Sequence, residues 1–352
     1  MIWRQRLGLE RKLGGADIIF EVVIVALACL ALQIEPSAAA SMCTSLAGLS
    51  LPQTKITLAR LYRAGDMVSG VTKAPVGLCR VTGTSKPSSD SNINFEVWIP
   101  TNGRWNGKYE QIGNGGFAGT IWVSYIADAV SRGYAAAATD DGTSGPPLGA
   151  ATFIGHPNVL KDFGYRAIKV TTDNSKAIIK RLMGKTPRYS YFSGCSQGGL
   201  EAFTEAQRYP RDYDGIIAGD PANYWTHLYA GGHLWIAQAT LTDSDSYIPA
   251  TKLQAIGEAV YAACDSIDGI KDGILNDPRL CHFDPSVLLC KSGDAQTCLT
   301  APQVEAVKKI YQGARTSDGE QVFPGIMPGG EAGQGGWNTW ITGTDPGRDR
   351  SP

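Results

Sequence analysis

The chain has 352 residues, with 32 Lys plus Arg against 33 Asp plus Glu, a formal charge of −1 and 18% charged residues. That balance excludes a protein that relies on a basic field to hold nucleic acid or an anionic membrane surface. Forty-two glycines and 19 prolines indicate a loop-rich globular protein, longer than an average single domain.

Residues 1–40 have the order of a secretory signal peptide. Arg4, Arg6, Arg11 and Lys12 precede the apolar run from Val22 to Leu32, and Ala38, Ala39 and Ala40 supply small residues for cleavage. The run falls short of the about 20 apolar residues that a membrane-spanning helix needs. Cleavage there predicts a secreted or periplasmic protein without stable membrane association. It also removes Cys29 and leaves an odd number of cysteines, at 43, 79, 195, 264, 281, 290 and 298.

Residues 41–90 read as turn-rich, with Cys43 and Cys79 available to staple them. Asn92 to Ile99 alternates like a strand and stops at Pro100; Lys108 to Ile112 is a second short strand feeding the glycine loop Gly113 to Gly119. Gly133 to Thr139 is a third strand, ending in Asp140 to Gly145. Tyr165 to Leu182 has helical spacing, with Gly184 as its stop. Another strand runs into Gly194 to Gly198, and a helix carrying Leu200 and Phe203 follows; Tyr213 to Gly219 is the next buried strand. Strands alternating with helices predict a mainly parallel sheet, so residues 41–220 read as the core of an α/β protein. After Asp220 and Pro221 come two helical stretches, an Asp/Gly loop, a cysteine-rich stretch and a Gly/Pro-rich tail, so residues 221–352 read as an inserted lid.

Gly194-Cys195-Ser196-Gln197-Gly198 fits G-x-S-x-G, the nucleophile elbow that exposes a serine on a strained strand-to-helix turn. Serine needs a general base, and on such folds the order is Ser, then Asp or Glu, then His on a late loop. His227 and His233 fall on a lid helix, His282 in the cysteine-rich stretch, and His156 before the elbow, so none occupies the place of that base. Oxyanion donors are expected from the amide after the nucleophile, at Gln197, and from the loop Gly113 to Gly116. Asp265, Asp268 and Asp272, with Gly269 and Gly273 beside them, crowd hard oxygen ligands into a loop that suits calcium, to which Ile270 and Ile274 can add backbone carbonyls. The spacing is not that of an EF-hand.

These residues together resemble the tannase/feruloyl esterase family, which includes a mono(hydroxyethyl) terephthalate hydrolase. The resemblance lies in residues 113–119, 162–167, 194–199, 205–210 and 212–219 and in the Asp/Gly loop, and it runs from about residue 43 to about residue 342. It implies an α/β-hydrolase with a large lid carrying structural calcium and cleaving small esters of hydroxylated aromatic acids, of gallate or feruloyl type. It implies Ser196 as nucleophile, Gly116 and Gln197 as oxyanion donors, and Asp265, Asp268, Ile270, Asp272 and Ile274 as calcium ligands. The pairings Cys43–Cys79, Cys264–Cys281 and Cys290–Cys298 rest on the same resemblance and on proximity. The family ties the cysteine before the serine to one that follows the catalytic histidine. Cys195 matches the first half of that bridge and is left unpaired. The triad's Asp and His and the sheet's last strands are then expected to be absent, the sequence to be truncated at its C-terminus and the activity impaired. The rival expectation is an inactive fragment or calcium-bound binding module. An ordinary lipase is disfavoured by the acidic lid loop.

Overall fold

The computed structural model describes residues 39–343, apart from residue 144 and residues 146–148. Most of the expected signal segment and the last nine residues of the protein lie outside the described residues. The chain divides at Gly219 and Asp220 into two compact units.

The first unit is built on a seven-stranded sheet of order β1-β4-β5-β7-β6-β8-β9. Its strands are β1 (Thr54–Tyr62), β4 (Leu78–Ser85), β5 (Ile93–Pro100), β6 (Lys108–Ile112), β7 (Ala135–Thr139), β8 (Tyr189–Cys195) and β9 (Gly215–Gly219). The short strands β2 (Met67–Val68) and β3 (Thr72–Lys73) pair with each other in a separate hairpin. β1, β4, β5 and β7 pair antiparallel, whereas β7, β6, β8 and β9 run parallel. The crossovers use α1 (Val123–Ser131) between β6 and β7, α2 (Ala167–Met183) between β7 and β8, and α3 (Gln197–Arg208) between β8 and β9. Parallel strands need such crossovers, and the helices cover both faces of the sheet.

Residues 41–90, read from the sequence as outside turns, instead contribute two long strands of this sheet. The reason is visible in β4, where Leu78, Val81, Gly83 and Ser85 pair along β5 and bury against it, while Arg80 reaches Glu96. Cys43 is bonded to Cys79, which pins the entering segment to β4. β7 carries four successive alanines, all buried, because a central strand covered on both faces leaves room for small side chains. One core cluster holds Phe95, Val97, Tyr109, Ile178 and Phe192, and another holds Trp98, Ile126, Val130 and Ala136. α2 stops where the sequence places its stop: Gly184 has φ 70°, a left-handed conformation that glycine adopts without a Cβ penalty. β9 ends the sheet. Among the described residues it pairs with a strand on its β8 side alone, and Ile217 at its middle is 67% exposed.

The second unit is helical, with α4 (Trp235–Leu241), α5 (Ala250–Cys264) and α6 (Ala301–Gln312) enclosing Ile248, Ile256, Val260, Leu299, Val307 and Trp337. Disulfides Cys264–Cys281 and Cys290–Cys298 staple its loops; in the first unit Cys195 is, among the described residues, the free and exposed cysteine. Among the described residues no helix is long and apolar enough to cross a membrane.

Candidate active site

β8 and α3 meet at Ser196, whose backbone sits at φ 62° and ψ −116°. A non-glycine residue held there costs of order 1–3 kcal/mol and persists only where its surroundings fix it. Here they do. Ser196 N–H donates to the Gly219 carbonyl at 3.0 Å, and its own carbonyl accepts from Gly199 and Leu200 at 3.0 and 3.1 Å. The flanking glycines are required by backbone contact. A Cβ on Gly194 would overlap the Gly198 carbonyl and lie 2.7 Å from the Gly198 Cα, and one on Gly198 would meet the Asn114 carbonyl at 2.9 Å. Gly113, at the end of β6, has the same reason to be glycine: its Cβ would lie 2.7 Å from the Gly198 Cα. The glycine loop is thus stitched to the elbow, with Gly198 N–H on the Asn114 carbonyl and Gly113 N–H on the Ser193 carbonyl, both at 2.8 Å.

The turn presents Ser196 and Cys195 to solvent, while Gln197 is buried behind them. A groove of about 450 Å³ runs past the serine, walled by Gly113, Asn114 and Gly115, by Trp122 and Tyr125, and by Ile217 and Gly219 of β9. Trp122 and Tyr125 stand with ring centroids 6.3 Å apart and give this wall an aromatic surface. At the far wall Arg132 bridges Glu110 at 3.0 Å and Asp128 at 3.1 Å, and burial raises the Glu110 carboxyl above its ordinary value.

Gly116 and Gln197 belong to the two segments that meet at the elbow, although neither side of the groove is formed by them. Gly116 has φ 59°, and among the described residues neither its N–H nor that of Gln197 donates to another group. Free amides at a helix N-terminus and an adjoining turn are what an oxyanion requires. Among the described residues no histidine lines the groove. His227 bonds Tyr224 at 3.0 Å through Nε2, within the second unit.

In the Asp/Gly loop Asp265, Asp268 and Asp272 each spend Oδ1 on a backbone N–H, of Gly273, Ile270 and Ile274 respectively, at 2.9, 2.9 and 3.1 Å. Gly269 and Gly273 take φ 93° and 78°, so the loop needs its glycines. The donor types suit calcium. As placed, however, no three acidic, imidazole or thiol groups among the described residues form one cluster.

Two features escaped sequence reasoning. The Arg132 bridge joins β6 to α1 across a long separation that no local motif marks, and two buried carboxyls, Asp141 and Glu201, lie against the glycine loop.

Comparison with known proteins adds relatives to this geometry. The family model for tannase and feruloyl esterase matches residues 79–351. An uncharacterized esterase of Xanthomonas campestris pv. campestris is 42% identical over 332 residues, 92% of this chain and 56% of that protein. The Aspergillus flavus protein named "Probable feruloyl esterase B-2" is 34% identical over 284 residues, 80% of this chain and 52% of its own length. The crystal structure of feruloyl esterase B from Aspergillus oryzae superposes with a TM-score of 0.73 at 26% identity, covering 88% of this chain and 66% of that one. Tannin acyl hydrolase from Aspergillus niger shares the fold, with a TM-score of 0.60 at 23% identity over 82% of this chain and 58% of that one. The chain spans about half the length of the curated relatives it matches. With the elbow, the glycine loop and a family match over most of its length, the chain belongs to the tannase and feruloyl esterase family.

Proposed function

We propose that the protein acts in carboxylic-ester hydrolysis, on esters of hydroxylated aromatic acids, with Ser196 as nucleophile. The observation that carries this reading is the exposed Ser196, held at φ 62° in a groove that the glycine loop and Trp122 also wall. Ser196 Oγ attacks the ester carbonyl carbon and its proton passes to a base. The oxyanion accepts from the N–H groups of Gly116 and Gln197. The tetrahedral intermediate then expels the alcohol, which takes up a proton, and water attacks the acyl-serine to release the acid and restore the hydroxyl. The aromatic wall gives a phenolic ring a surface to stack on.

Calcium is proposed for the second unit. Asp265, Asp268 and Asp272, with the carbonyls of Ile270 and Ile274, would hold a structural ion whose charge offsets three carboxylates in one short loop. The three disulfides fit an oxidising compartment, in line with secretion to the periplasm or medium after removal of residues 1–40.

A second reading, a calcium-bound binding module without hydrolase activity, is favoured by one observation: no histidine lines the groove among the described residues. Hydrolysis of methyl ferulate and methyl gallate by the wild type and by Ser196→Ala separates the two. The hydrolase reading expects the alanine variant to fall to background with its fold intact. Equal rates in the two proteins, with ester still bound, establish the binding module.

A further inference from the structure

Two carboxyl groups that ester cleavage does not use lie against the glycine loop. Asp141 follows β7 and is fully buried; Glu201 sits in α3 beyond Ser196 and is 2% exposed. Glu201 Oε2 accepts from the Asn114 N–H at 3.0 Å. Its Oε1 and both oxygens of Asp141 are buried with no hydrogen-bond partner. The approach is tight, since a Cβ on Gly113 would lie 2.9 Å from Glu201 Oε2.

The acids face one another, and each acts on the other's protonation. The further charge acting on Asp141 is Asp140, which is itself held by Asn94 and by the Gly142 N–H. Asp162 packs on Gly142 from the turn before α2 and is ion-paired with Arg166. Among the described residues, none of the groups acting most strongly on Asp141 or Glu201 is cationic. Two facing buried carboxylates without a cation cannot both ionise. A proton on one supplies the O–H donor that the orphaned oxygens lack. Burial, ahead of any neighbour, drives both carboxyls up: Asp141 well above the carboxylate range and Glu201 to about 7.

Asn114 is the link to the site. Its Oδ1 accepts from Gly115 N–H at 3.2 Å and Trp122 Nε1–H at 3.1 Å, its Nδ2 donates to the Thr139 carbonyl at 2.7 Å, and its own carbonyl accepts from Gly198. We propose that Asp141 and Glu201 share one proton and that this acid pair positions the Gly113–Gly116 oxyanion loop through Asn114. The catalytic consequence rests on Ser196 being the nucleophile; the shared proton does not. Below neutral pH both carboxyls keep their protons; as pH rises through about 7 the pair loses one and shares the other. Loss of that first proton leaves a charged acceptor for the Asn114 N–H beside an O–H donor, which tightens the hold on the loop. Asp141 and Glu201 are therefore positioning residues.

The test is a pH titration of the ¹⁵N-labelled protein from about pH 5 to about pH 9, bracketing the pair's first ionisation. Amide resonances of Asn114, Gly115 and Gly116 are followed in wild type, Glu201→Gln, Asp141→Asn and Ser196→Ala. In wild type and Ser196→Ala these amides should move together in one step near neutral pH. Glu201→Gln keeps an oxygen for the Asn114 N–H but does not titrate, so the step should vanish with the shifts held at their low-pH positions. Asp141→Asn leaves Glu201 to titrate without its shared proton, so there the step should move in pH, which tests the pair if Glu201→Gln does not fold. A flat wild-type titration, a step that persists in Glu201→Gln, or a step at unchanged pH in Asp141→Asn overturns the proposal. Because Ser196→Ala keeps the step, absence of ester turnover defeats the functional reading without touching this one.

Discussion

Gly194→Ala tests whether the elbow is held by backbone contact. The added Cβ would lie 2.7 Å from the Gly198 Cα and overlap the Gly198 carbonyl, all of it backbone that no rotamer change relieves. Filling a packed site with one carbon costs roughly 1–3 kcal/mol where side chains can yield. Here the end of β8 and the first turn of α3 must part, which also strains the bonds Ser196 N–H to Gly219 and Gly198 N–H to Asn114. A hydrogen bond contributes about 1 kcal/mol net. Together these terms amount to about 4 kcal/mol, a large share of the roughly 5–15 kcal/mol that stabilises a typical domain. Urea unfolding followed by near-ultraviolet circular dichroism reads this as a fall in midpoint of about 2 M at unchanged slope, for a slope near about 2 kcal/mol per M. Gly115→Ala is the internal control. A methyl group at Gly115 would meet no atom within 4 Å and the φ there is ordinary, so the change should stay within about 0.5 kcal/mol. A Gly194→Ala loss below about 1 kcal/mol, or a Gly115→Ala loss of equal size, refutes the backbone account of the motif.

Glu205, fully buried on α3 with no partner for either carboxyl oxygen, is pushed by burial and then by Asp212 up to about 8 from an ordinary 4.5, against the pull of Lys169 and Lys176. The native state therefore holds a proton that the unfolded chain has released, so this contribution to stability is complete below the ordinary carboxyl range and is lost as pH rises through about 8. Glu205→Gln should flatten the decline in stability across that window by about 5 kcal/mol in urea melts; parallel wild-type and variant curves sink the idea. Chelation should lower the melting temperature of the wild type, and Asp268→Asn should remove that sensitivity. A chelator-insensitive wild type reduces the Asp265–Ile274 loop to an acidic turn.

The elbow was legible because its requirements are local. Gly194 is glycine for its contact with Gly198, four residues on, and strand and helix chemistry flank the serine in sequence, whereas the contact that requires glycine at 198 comes from Asn114 in the distant glycine loop. The helix stop at Gly184 and the glycines of the acidic loop were legible for a similar reason, since a left-handed backbone position marks itself by residue type. β1 and β4 were hidden by the turns and the small hairpin between them; they pair with each other, and β4 joins the sheet through β5. Asp141 and Glu201 lie far apart in sequence, and the crossing of β7 and α3 over the glycine loop brings them together. Nothing in either local stretch announces that pairing.

Trapping the acyl intermediate is the most direct test of Ser196 as nucleophile. The protein is incubated with an activated feruloyl ester, quenched in acid and digested with trypsin, which releases Tyr189 to Arg208 as one peptide. That peptide holds both Ser196 and the exposed Cys195, so fragmentation distinguishes the two nucleophiles. The mass of one feruloyl group should appear on Ser196 and be absent from the same peptide of Ser196→Ala. A feruloyl group on Cys195, or ester turnover that persists in Ser196→Ala, contradicts the account.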